Sequence, residues 1–96
     1  MNELNQIIQE LRLLKPELSD RFFVNEIGLY GSVTRDDFNV DSDVDIIVDF
    51  SKPIGIAFVD LADFLESKIH RKVDLVSKNA MRNYFYSSIE KEIQYV

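Results

Sequence analysis

Ninety-six residues of 11.2 kDa make one domain with one core, and exclude a two-domain enzyme. The 46% hydrophobic and 11% aromatic content argues against disorder, and the lack of cysteine excludes disulfides and thiolate metal sites. Seventeen acidic against eleven basic residues give a net charge of -6, which disfavours gripping a nucleic-acid duplex through its phosphates.

Neither a signal-peptide pattern at Met1-Asn2-Glu3-Leu4 nor an apolar run of about 20 residues is seen, so the expectation is a soluble, cytoplasmic domain spanning 1–96. In chain order, Leu4, Ile7, Ile8 and Leu11 follow helical spacing and predict an amphipathic helix over 3–14. Pro16 is expected to break it and open a second short helix to about Phe23. Asn25-Glu26 reads as a turn and 27–30 as a short strand. Gly31-Ser32 then breaks the strand, and a helical turn over 33–38 follows that Ser32 could cap. Next, Val44, Ile46, Val48 and Phe50 alternate with Asp43, Asp45, Ile47 and Asp49. Period two places the first set on a core face and the second on an open, acidic one. A helix over 57–69, a strand over 72–77 and a last helix from Ser77 or Asn79 to about Glu92, with Phe85 and Ile89 inward, complete the pattern. Alternating helices and strands imply an α/β (α+β) layer fold with a small mixed sheet of three or four strands.

From Asp36 to Asp49 there are six aspartates and no lysine or arginine. Asp43 and Asp45 share one face of a strand, with Cα atoms about 6.5 Å apart. Carboxylates so placed can converge on a hard cation such as Mg2+. Asp74, alone among apolar neighbours on the later strand, could join them if that strand lies alongside. Three carboxylates on one sheet face are what two-metal phosphoryl transfer needs. Without a cation the pair would repel by roughly 2–3 kcal/mol at an effective dielectric of about 20. The plainer reading, a solvated edge strand whose acids prevent aggregation, carries equal weight on spacing alone. Asp41, Asp43 and Asp45 also open like an EF-hand, but Ile46 stands where that loop needs Gly and Lys52 where it needs Glu.

Gly31-Ser32 leaves a strand and opens a helical turn, a setting that attracts phosphate. Glycine permits close approach and serine adds a hydroxyl. The Walker and dinucleotide glycine patterns are both absent. Together, Gly31-Ser32-Val33-Thr34-Arg35, Ser42-Asp43-Val44-Asp45-Ile46-Ile47-Val48 and Val73-Asp74-Leu75-Val76 resemble the minimal nucleotidyltransferase (MNT) family of the DNA polymerase beta-like superfamily. The likeness runs over nearly the whole chain. It implies that Gly31 and Ser32 contact a triphosphate and that Asp43 and Asp45 hold Mg2+, two ions in the family. Asp74 would be the third carboxylate and proton acceptor. Arg35 matches the family's arginine, as a phosphate contact or as a brace for the aspartate strand. Asp36 departs from the family pattern, which commonly has Gly there.

The resemblance further implies transfer of a nucleoside monophosphate, AMP from ATP, to a hydroxyl. Many short members resemble antitoxins that modify a tyrosine of a HEPN-type ribonuclease toxin, so such a toxin is the expected partner. A non-catalytic antitoxin of the same fold, and an enzyme acting on a small molecule, are the alternatives. His70 reads as a helix-end charge, Arg71 and Lys72 equally as phosphate contacts or a surface turn, Tyr84, Phe85 and Tyr86 as packing of the last helix, and Glu90, Lys91 and Glu92 as a solvated face.

Overall fold

A computed structural model of the chain describes residues 3–35, 38–39 and 41–96. Its first element is one continuous helix, α1 (Glu3–Phe22), with Pro16 inside it where the sequence predicts a break. Proline in a helix removes one N–H and crowds the carbonyl four residues earlier, at about 3 kcal/mol. Here Pro16 and Arg12 are both exposed, so water reaches the freed carbonyl. Past the proline, Leu18 and Phe22 continue the buried stripe begun by Ile7 and Leu11. Burying two such side chains contributes about 3–6 kcal/mol, which outweighs the proline.

The first strand, β1 (Val24–Tyr30), starts earlier than expected, because Asn25 and Glu26 belong to it; a register shift between Val24 and Glu26 absorbs the irregularity. There follow β2 (Val44–Phe50), α2 (Ala57–Ile69) and β3 (Val73–Ser77). The C-terminal stretch differs from the single helix expected. A 3-10 turn (Lys78–Ala80) precedes α3 (Asn83–Ile89), a second 3-10 turn (Glu90–Glu92) and a two-residue strand, β4 (Gln94–Tyr95). Extended backbone at Met81 and Arg82 splits the run. At seven residues α3 has no buried side chain; Phe85 is 39% and Tyr84 74% exposed, not inward.

The four strands form a mixed sheet in the order β3-β2-β1-β4. β1 is antiparallel to β2 and to β4, and β2 is parallel to β3, with α2 as the crossover. On one face Ile27, Leu29, Val44, Ile46 and Val48 join Ile7, Leu11, Leu18 and Phe22 of α1 and Leu61 and Leu65 of α2 in one core. The other face carries Glu26, Gly28 and Tyr30, then Asp45, Ile47 and Asp49, then Asp74 and Val76, as the register dictates. Ile47, expected on open surface, is 1% exposed. The strand β4 pairs Tyr95 with Gly28, the register partner of Ile47. A Cβ at Gly28 would meet the Ile93 side chain at 2.8 Å and Tyr95 at 3.2 Å, so the C-terminal segment roofs the middle of this face. Among the described residues no helix is long and apolar enough to cross a membrane.

Candidate active site

Asp45 stands opposite Asp74 on β3 and opposite Tyr30 on β1. The three side chains therefore form one row across the sheet, running from buried Tyr30 through partly buried Asp45 to exposed Asp74. Asp43 lies just ahead of β2, two residues from Asp45, and is exposed like Asp74. The predicted carboxylates are thus neighbours, brought together by strands paired at an offset of 29 residues, as Asp45 with Asp74. Partial burial, then the charges of Asp74 and Asp43, push the Asp45 carboxyl up to about 6, against the pull of Arg35. Burial, followed by Asp45, Asp74 and Glu92, pushes the Tyr30 phenol up to about 12. A proton costs less than a negative charge here, as expected of like charges crowded at low dielectric.

The turn at Gly31–Thr34 is a 3-10 turn at the Tyr30 end of this row. Gly31 has φ +76°, and a Cβ there would lie 2.2 Å from Asp45 Oδ2. Only glycine meets both demands, positive φ and contact with the carboxylate. Thr34 Oγ1 donates to the Gly31 carbonyl at 2.7 Å, and the Arg35 N–H to the Ser32 carbonyl at 2.9 Å. Ser32 does not cap the turn: the capping position falls on Tyr30, with no side-chain hydrogen bond. Asp36 and the end of the predicted 33–38 turn lie outside the described residues, apart from Phe38.

Arg71 holds the loop that delivers the aspartates. Its guanidinium donates to the Asn39 carbonyl at 2.6 Å and to the Ser42 carbonyl at 2.9 Å. It also pairs with Glu3 and stacks over the Phe38 ring, 4.5 Å from its centroid. The side chain is thus engaged in bracing the loop. Two further bonds fix the neighbouring strand starts, Val44 N–H to the Lys72 carbonyl at 2.8 Å and Val73 N–H to Glu66 Oε2 at 2.9 Å. His70, in the left-handed region at φ 56°, ends α2 by donating its N–H to the Glu66 carbonyl.

One residue of the site escaped the sequence. Glu92, read as solvated, accepts the Gly31 N–H at 3.0 Å and pairs with Arg35 at 3.7 Å. Nothing local marks it, because the preceding helix does not continue and β4 brings it back to the end of β1.

Among the described residues no three His, Asp or Glu side chains form a finished metal cage. Mg2+ does not ask for one: one or two carboxylates suffice, with water and substrate phosphate supplying the other oxygens. Asp43, Asp45 and Asp74, all oxygen donors at an open rim, suit that donor set. Farther along β3, an apolar hollow of about 620 Å³ opens among Phe50, Ile54, Phe58, Leu75, Met81 and Phe85.

The nucleotidyltransferase domain family matches residues 11–96. This chain belongs to that family. The nucleotidyltransferase is 39% identical over 97 residues to the protein adenylyltransferase MntA of Thermococcus cleftensis, covering 100% of this chain and 98% of that protein. Among solved structures, this nucleotidyltransferase resembles a toxin-antitoxin complexed with AMP-PNP, at 28% identity and a TM-score of 0.70, over 99% of this chain and 72% of the other. A further neighbour is from a tri-AMPylated Shewanella oneidensis HEPN toxin in complex with MNT antitoxin: 26% identity, TM-score 0.61, 97% of this chain and 67% of that one.

Proposed function

We propose that this nucleotidyltransferase moves AMP from ATP onto a tyrosine hydroxyl of a HEPN-type ribonuclease toxin and so acts as its antitoxin. The register pairing of Asp45 with Asp74, beside the Gly31 turn, carries the reading. Gly31 and Ser32 would receive the triphosphate, with Arg35 at the edge of the turn. The acceptor oxygen attacks the α-phosphorus, the bond to the β-phosphate's bridging oxygen breaks, and pyrophosphate leaves. The hydroxyl proton passes to Asp74, the exposed carboxylate of the row. Asp43, Asp45 and Asp74 would hold Mg2+, two ions on the family pattern, which when bound neutralises phosphate charge and favours the attacking alkoxide.

A protein acceptor is supported by the relatives, which are a protein adenylyltransferase and a toxin–antitoxin pair with an AMPylated toxin. It is supported also by the apolar hollow on the strand that bears Asp74, which offers area for hydrophobic contact. The net charge of -6 offers nothing comparable to a nucleic-acid backbone. The test is incorporation of labelled AMP into a co-expressed HEPN-type protein, with parent and Asp43→Asn compared. The parent labels a tyrosine and the variant does not; equal labelling by both removes the catalytic assignment.

A further inference from the structure

We infer that Glu92 is a built-in competitor for the nucleotide's phosphates, its carboxylate holding their seat until a metal-bound triphosphate displaces it. The inference rests on the proposed reading of Gly31 and Arg35 as triphosphate contacts, and adds what governs their access. The Gly31 N–H donates to Glu92 Oε1 at 3.0 Å, and Arg35 Nη1 stands 3.7 Å from Glu92 Oε2. One carboxylate thus engages both groups, each through a different oxygen, as two oxygens of a phosphate would.

Charge makes the occupation exclusive. Glu92 faces a rim that already carries Asp43, Asp45 and Asp74, and it adds to the repulsion felt by Asp45 and Tyr30. A triphosphate arriving on the same N–H would meet that carboxylate head-on. The Glu92 side chain is about one-third exposed, so it can turn out to solvent. Its backbone need not follow, because Ile93 packs over Gly28, and Gln94 and Tyr95 pair with β1. Apparent nucleotide affinity is then reduced by the fraction of time Glu92 stays in the seat.

The test titrates Mg2+–AMP-PNP into the full chain as parent, Glu92→Gln and Glu92→Ala, by calorimetry, with thermal melts to verify folding. Both variants should bind about three- to tenfold tighter than the parent, the inverse of the fraction of molecules with the seat free. Unchanged or weaker binding by folded variants overturns the inference, since a Glu92 that held metal or merely propped Arg35 would give that result. A second readout follows the Gly31 amide itself. The chain has three glycines, so the Gly31 amide is readily assigned in a nitrogen–proton spectrum. In the parent it should move on saturation to a position shared with nucleotide-bound Glu92→Gln. Binding that leaves the parent's Gly31 amide unmoved also overturns the inference, while leaving nucleotide transfer standing. No binding by any of the three chains would sink the nucleotide-transfer reading itself, and this inference with it.

Discussion

The two faces of β2 are built by the same alternation and live under opposite rules. Val44, Ile46 and Val48 are fully buried against both long helices, and each needs only apolar neighbours of about the right size. Asp45 and Asp49 on the reverse face depend on specific atoms across the sheet. Asp49 finds a neutral partner, the Asn25 amide at 3.1 Å. Asp45 meets Asp74, Tyr30 and a glycine with no room for a side chain. One face spends its residues on stability; the end of the other keeps a charge cluster that stability alone would remove.

The sharpest way to break that contrast is to change adjacent residues of the one strand. Asp45→Asn should lower AMP transfer by about a hundred- to ten-thousandfold with the fold retained, measured by label incorporation and circular dichroism. Ile46→Ala, one position on, should cost about 2–4 kcal/mol of unfolding free energy in denaturant titrations, with the rate per folded molecule little changed. A rate collapse from Ile46→Ala in folded protein would show that the two faces are not separable.

Gly31→Ala sits at the seam and should fail on both counts. The added methyl meets Asp45 Oδ2 in a backbone conformation that L-residues disfavour, so about 1–3 kcal/mol of stability is lost. Transfer falls with it as the carboxylate is pushed aside, which kinetics on the folded fraction would register. Arg71→Ala is expected to be milder, about 1–2 kcal/mol, because the loop loses its brace while the strand pairing remains. Its melting temperature should drop and its metal requirement rise.

The smallest effect is a pH dependence. The folded Asp45 carboxyl titrates near 6 against an ordinary 3.8, so the folded state binds this proton more tightly than the unfolded chain does. The stability this group contributes is full below about 3.8 and is lost as pH rises through about 6. Asp45→Asn should therefore melt above the parent at pH 7.5, with the gap closing by pH 4. Millimolar Mg2+ with a triphosphate should raise the parent's melting temperature at pH 7.5 and leave that of Asp45→Asn nearly still. An identical pH profile for both proteins would show that the carboxylates do not strain the fold.

Much of this is legible in the sequence. Period two in 43–50 separates the core residues from the aspartates, and helical spacing marks α2 to the residue. The spacing of Asp43, Asp45 and Asp74 marks them as candidates for one face, and the register pairs Asp45 with Asp74. Elsewhere local rules misled. Proline at 16 predicts a break, yet Leu18 and Phe22 are buried by the core and carry the helix through. Ile47 reads as exposed by alternation, yet Ile93 and Tyr95 roof the neighbouring Gly28. Phe85 reads as inward by helical spacing, yet it borders a hollow.

By itself, then, the sequence determined whatever depends on residues within one element: which strand face is apolar, where glycine must stand, which acids share a side. Only the tertiary structure decided what stands opposite Asp45, what covers Ile47, and that Glu92 returns to the Gly31 N–H. The reason is range. Spacing along a chain sets angles over a few residues, whereas partners across a sheet follow from the register of distant strands, which burial of the whole core selects at once.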